Sequence, residues 1–216
     1  MMKDGLTGKI FSQANKMIEK SFTRKNHFNK ILELGSSGYW HLKFVNCTFN
    51  EYHVTDLNKI KKPKKGKLPR NVVTRILDAT DLSLEKSDEY DRVIATCLVL
   101  HLENLQEILA SWRRVTRNDG YISIYVHCEP GFLLRLTRTL IQVPKARKLK
   151  NYNHYDLVYE EHKLNFLHVK HSIKKVFYND KIKQRYYPFK FGSWNFNYWK
   201  IYTIQINKKV IENENE

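Results

Sequence analysis

Along the chain, stretches whose apolar residues recur at helical spacing alternate with short apolar runs bounded by small or polar residues. Ile10, Phe11, Ala14, Met17, Ile18 and Phe22 fall mostly three or four apart, which predicts an amphipathic helix over Leu6–Phe22. Lys30–Leu34 is an apolar run that opens into Gly35, Ser36, Ser37 and Gly38, the signature of a strand entering a tight turn. Trp40–Phe44 again carries apolar residues at helical spacing, and a second strand, Tyr52–Thr55, ends at Asp56, so this stretch predicts a βαβ unit. A third strand over Val72–Leu77 and a fourth over Tyr90–Thr96 follow. Next come a helix over Glu103–Val115, a turn at Thr116–Gly120 and a fifth strand over Tyr121–Val126.

Beyond the fifth strand, Phe132, Leu133, Leu136, Leu140 and Ile141 mark a helix that Pro144 ends, followed by the basic run KARKLK. A second helix is expected over Leu164–Ser172, and Lys174–Tyr178 and Tyr198–Ile206 alternate like strands. The aromatic stretch from Arg185 to Trp199 reads as a packed connection in preference to a base-stacking platform. Between the second and third strands, Ile60–Arg70 is a basic loop broken by Pro63, Gly66 and Pro69. Strands alternating with helices point to the α/β class.

Composition bounds this picture without changing it. The 216 residues suit one domain, and 42% apolar residues suffice for a core. No run of about 20 apolar residues could span a bilayer and the N-terminus has no secretory h-region, so a cytoplasmic protein is expected. Cys47, Cys97 and Cys128, an odd count at unrelated spacings, are expected as buried free thiols. The nine histidines include His168 and His171, but no Cys-x-x-Cys or second cluster accompanies them, and no metal is expected. A formal charge of +16 does change the picture, because it favours an anionic partner: nucleic acid, a phosphorylated substrate or the inner leaflet of a membrane. The basic residues are spread over 60–70, 135–150 and 173–185 and form no single track, which makes nucleic acid the less favoured of these.

The chemistry starts at the first turn. A small-residue turn after a buried strand admits a ligand close to the backbone, and Asp56, about 20 residues beyond Gly35, could accept hydrogen bonds from a ribose. Glu33, two residues before Gly35, would repel a pyrophosphate and attract an ammonium, so a nucleoside with a cationic amino-acid tail fits better than a dinucleotide. The run Glu33-Leu34-Gly35-Ser36-Ser37-Gly38 resembles the acidic-x-Gly-x-Gly-x-Gly motif of class I S-adenosylmethionine-dependent methyltransferases, with Ser37 and Tyr39 at positions where glycine is usual. Asp78-Ala79 resembles the acid and backbone position that hold the adenine amino group in that family, and the order of elements matches it across some hundred residues.

The resemblance implies a Rossmann-like methyltransferase fold: a mostly parallel seven-stranded sheet with a terminal antiparallel hairpin and helices on both faces. It implies S-adenosylmethionine as cofactor, held by Glu33, Gly35, Ser36, Gly38, Asp56, Leu57, Asp78, Ala79 and Thr96. One domain over 1–216 would divide into an N-terminal cap helix closing over the cofactor (1–29), a cofactor-binding core (30–128), a helical acceptor-side insertion (129–172) and closing strands (173–207).

For the acceptor, Cys128-Glu129-Pro130-Gly131 before an arginine-bearing helix, and Glu161-His162-x-x-Asn165, resemble methyltransferases associated with bacterial surface-polysaccharide (O-antigen or capsule) clusters. The resemblance implies O-methylation of a sugar or glycan hydroxyl, lipid-linked acceptors included, and the basic charge adds contact with an anionic membrane and a peripheral place at its inner face to the expectations. Removing a hydroxyl proton near neutral pH calls for a base, most often histidine. The candidates are His101 and His127, with Glu129 as the carboxylate alternative, and His101, His127, Arg135 and His162 are expected to meet the substrate. Two other readings keep the fold: an RNA methyltransferase, and a nucleic-acid-binding protein without transfer activity.

Overall fold

The computed structural model describes residues 6–61, 68–142, 144 and 161–208. The middle of the basic loop (62–67) and the KARKLK run, both singled out above, lie outside them. Seven strands form one sheet: β1 His27–Leu34, β2 Thr48–Asp56, β3 Val72–Ile76, β4 Tyr90–Thr96, β5 Thr116–His127, β6 Lys181–Tyr187 and β7 Trp199–Gln205. Their order is β3-β2-β1-β4-β5-β7-β6. The first five are parallel, while β7 runs antiparallel to β5 and β6 antiparallel to β7. This is the Rossmann-like sheet expected, and its order reverses between β1 and β4, where such sheets open a crevice for ligands at their carboxyl ends.

Successive residues of a strand face opposite sides, so each strand feeds two cores. On one side Ile31, Tyr52, Val54, Ile94 and Tyr125 pack beneath α1 (Leu6–Glu19), through its Ala14 and Ile18 and the following Phe22. On the other, Leu32, Leu34, Val93, Ala95, Ile122 and Ile124 pack beneath α2 (Leu105–Val115). The same side also carries α4 (Phe166–Val176), while α3 (Phe132–Thr137), with a π-helical turn over Arg138–Gln142, follows β5. No described helix is long and apolar enough to cross a membrane.

Several elements differ from expectation. The helix expected at Trp40–Phe44 is one 3-10 turn, Leu42–Phe44. Positive φ angles at Gly35, Ser37 and Gly38 spend the start of this short connection on a tight turn, and what remains is close to the minimum length for a parallel crossover. α1 therefore covers this face. None of its described side chains lines the cleft at the strand ends. The strand expected at Lys174–Tyr178 is the end of α4, because Phe166, Val169 and Ile173 continue at helical spacing into the core, and the sixth strand falls at Lys181–Tyr187. The turn at Thr116–Gly120 is an irregularity inside β5, whose pairing with β4 shifts between Tyr90 and Arg92.

A charged pair is sealed between α1 and the sheet. Arg92 donates to both oxygens of Glu19, at 3.0 and 2.7 Å, and neither side chain is exposed. The His41 ring lies 2.8 Å from Glu19 and 2.7 Å from Asn15 Oδ1. Burial alone would raise the Glu19 pKa, but Arg92 and His41 outweigh it and hold the carboxyl at about 2.

Candidate active site

At the reversal between β1 and β4 the strand ends enclose a cleft of about 580 Å³, a size that suits a nucleoside ligand. Gly35 (φ +60°) begins the turn, so the backbone conformation favours glycine, and a Cβ there would stand 2.8 Å from Leu98 Cδ1 and push that side chain aside. The Ser36 amide donates to Thr55 O (2.9 Å) and the Ser37 amide to Asp56 Oδ2 (2.9 Å), which ties the turn to the end of β2. Asp56 also accepts from the Asn58 amide. Across the cleft, Asp78 Oδ1 accepts from the Thr80 amide and hydroxyl, and Trp112 Nε1 donates to Ala79 O at 2.9 Å.

Of the residues expected at a cofactor, Gly35, Ser36, Asp56, Leu57, Asp78, Ala79 and Thr96 line this cleft. Gly38 does not line it; its φ of +150° lets the chain turn toward Trp40, which does. Glu33 is a correction. It is fully buried beneath the turn on the α1 side of the sheet, where Tyr52 Oη donates to its Oε2 at 2.9 Å and Oε1 has no hydrogen-bond partner. Burial raises its pKa, so it does not present an exposed charge to a ligand. Tyr39 points elsewhere too, its hydroxyl 2.8 Å from Thr74.

Asp56 and Asp78 line the cleft, and no Lys or Arg is among its described lining residues, although the protein carries +16 overall. Among the described lining residues an anionic phosphate would find no Lys or Arg partner, whereas a ribose, an exocyclic amine and a cationic tail would find acceptors. The residues fit a cationic aminoacyl nucleoside and fit a dinucleotide poorly.

The acceptor-side residues gather beside the cleft. His101 lines it, and its Nδ1–H donates to Glu161 O at 2.8 Å, which leaves Nε2 as the unprotonated nitrogen of the neutral ring. The His162 ring packs edge-on against His101, centroids 4.8 Å apart. His162 Nδ1 lies 2.6 Å from Glu129 Oε2 but out of line for a hydrogen bond, so the contact is chiefly electrostatic. Arg138 grips both oxygens of Glu129. Burial would raise the Glu129 pKa, but His162 and Arg138 hold it at about 2.

Two candidate residues are not joined to this cluster by any hydrogen bond or ion pair among the described residues. His127 does not line the cleft: its Nε2 is 3.4 Å from Cys97 Sγ and 3.2 Å from Tyr125 Oη, and burial, then Arg138, push its pKa down to about 4. Both effects favour the neutral ring. Arg135 is exposed on α3, and no hydrogen bond or ion pair among the described residues joins its side chain to the cluster.

Sequence reasoning did not single out Trp40, Leu98 or the grip of Arg138 on Glu129. Of these, only the arginine spaced nine residues after Glu129 carried a signal. Cys47 and Cys128 are buried free thiols as expected, whereas Cys97 is partly exposed and lines the cleft. Among the described residues, no group of three or more His, Cys, Asp or Glu is placed to hold a metal ion.

Comparison with known proteins agrees with this geometry. Residues 32–124 match the family model described as a methyltransferase domain. The CurJ carbon methyltransferase superposes with a TM-score of 0.58 at 15% identity, covering 95% of this chain, which spans 56% of that longer protein. An O-methyltransferase family protein from Burkholderia thailandensis gives 0.57 at 8% identity, with 93% of this chain and 57% of that one covered. The N-methyltransferase NodS from Bradyrhizobium japonicum, solved with S-adenosylhomocysteine, gives 0.56 at 10% identity, covering 96% and 91%. No curated protein matches the sequence significantly. Residues 32–124 thus match a methyltransferase domain, within a fold that these solved methyltransferases share. The matched domain runs from β1 into β5 and so contains every residue that lines the cleft.

Proposed function

We propose that this methyltransferase holds S-adenosylmethionine in the β1/β4 cleft and methylates a hydroxyl of a sugar or glycan carried on a lipid. The observation that carries the cofactor half is the cleft itself, with Asp56 and Asp78 in its lining and no Lys or Arg among its described lining residues. Asp56 accepts from the ribose, Asp78 and the Ala79 amide serve the adenine edge, and Gly35 and Ser36 admit the aminoacyl tail against the backbone. Bound there, S-adenosylmethionine supplies a methyl group already activated on a sulfonium.

The chain's own task is then to orient the acceptor, exclude water and take one proton. His101 is the base, since Nε2 is its free nitrogen and the ring lines the cleft. Glu129, fixed by Arg138, steadies His162 against the His101 ring, and the two polar side chains present a surface suited to hydroxyl groups. An RNA acceptor is the second reading. The net charge of +16 favours it, while the spread of basic residues into separate segments speaks against it.

Calorimetric titration with S-adenosylhomocysteine tests the cofactor half. Saturable binding is expected, with an affinity loss of about 100-fold in Asp56→Ala, as for loss of hydrogen bonds to a charged group. Silence with the intact protein, or an unchanged affinity in the variant, refutes it. Supplying labelled S-adenosylmethionine with lipid-linked saccharides or with RNA separates the acceptors.

A further inference from the structure

The end of the sheet that carries the cleft also carries an exposed apolar surface. Phe132, Leu136 and Leu140 follow one another at intervals of four along α3 and its π-helical turn, between 42 and 66% exposed. Phe196 packs edge-on against Phe132, and Phe189 stacks on Phe191 in the loop between β6 and β7, all three 45–53% exposed. Register fixes where this surface lies. His127 at the end of β5 pairs with Trp199 at the start of β7, which pairs with Tyr187 at the end of β6, so α3 and the loop both emerge at the carboxyl ends of the parallel strands.

The loop is held in shape. Asn197, fully buried, accepts from the Phe189 amide and donates to Phe191 O and Ser193 O at 3.2 and 2.7 Å, and the Leu133 amide donates to Asn195 O. Six large apolar side chains on an ordered framework are more than scattered exposure requires. Neither contributing segment, 130–142 nor 181–208, contains an Asp or Glu, and exposed Arg135 and Lys190 sit among the apolar residues.

We infer that this surface docks on an anionic lipid bilayer, the phenylalanines and leucines entering the interface while Arg135 and Lys190 meet the headgroups. The inference deepens the lipid-linked acceptor proposed above, because docking would turn the cleft end of the sheet toward the membrane. Nucleic acid is the lesser fit, since leucines on a helix offer no stacking face to bases.

Flotation of the full chain with vesicles of phosphatidylcholine alone, or mixed with phosphatidylglycerol, tests it. The intact protein should float with the anionic vesicles. The variant Phe132→Ser/Leu136→Ser/Phe196→Ser should bind them at least tenfold more weakly, with its thermal melt and S-adenosylhomocysteine affinity unchanged. No flotation of the intact protein overturns the inference. So does equal flotation of the variant, which would leave charge alone as the cause, and so does RNA binding that the variant loses in place of vesicle binding. Cofactor binding without flotation refutes this inference alone, and flotation without cofactor binding refutes the functional reading alone.

Discussion

Glu129 Oε2 stands 2.6 Å from His162 Nδ1, so two short motifs from separate parts of the chain converge on one point beside the cleft. Backbone bonds brace the meeting: the Phe166 amide donates to Glu129 O, and the Lys163 and Leu164 amides donate to Leu100 O. Removing the carboxylate charge should be costly, because Arg138 is nearly buried and would lose its counter-ion. Glu129→Gln should lower stability by about 3 kcal/mol. Replacing both partners, as Glu129→Leu/Arg138→Met, should cost less than that single change; denaturant unfolding of the set checks the order.

His101→Ala should lower kcat by about 100-fold or more, as loss of a general base does, while S-adenosylhomocysteine affinity stays within about twofold. His127→Ala should leave both far less changed, since that ring contacts Cys97 and Tyr125 and does not line the cleft. Steady-state kinetics with calorimetry on the same preparations distinguishes the two histidines.

Gly35→Ala places a Cβ at a φ of +60° and 2.8 Å from Leu98 Cδ1. Strain and overpacking together should cost about 2 kcal/mol and weaken cofactor binding. Adding Leu98→Ala should restore part of the loss by removing the clash and none of the part due to backbone strain. Thermal melts of the single and double variants separate the two contributions.

Acid should unfold the protein partly through Glu19. Its pKa, near 4.5 when unfolded, is about 2 in the folded protein, so its contribution is fully present above pH 4.5 and is lost as pH falls toward 2. The contribution is on the order of 3 kcal/mol. Glu19→Gln should flatten this part of the stability profile, and urea titrations between pH 5 and 3 would measure it.

Much of the fold was legible because it rests on periodicity. The parallel strands and α2 declare themselves through apolar runs and helical spacing. Most of the cleft was legible because the turn at Gly35 and the acids Asp56 and Asp78 sit at strand ends, where sheet topology makes ligand sites. What was missed depends on contacts across the molecule. Trp40–Phe44 has helical spacing but too short a connection to spend on a helix. Glu33 sits at the position a motif assigns to the ligand, yet strand alternation turns it into the α1 side of the sheet, a consequence visible only once Ile31 and Tyr52 are known to face α1. His101 and His127 were equivalent strand-end histidines in sequence, and only Glu161 O, Cys97 and Tyr125 distinguish them.

The pairing of Glu19 with Arg92, 73 residues later, also bears on how the molecule comes into being. Helix α1 is translated before β4, so its Glu19 carboxylate emerges before the guanidinium that pairs with it. Until β4 is translated, seating that helix would bury the carboxylate without its guanidinium partner. Docking of α1 is therefore expected to wait for β4, so that the sheet closes around this helix after its central strands are made.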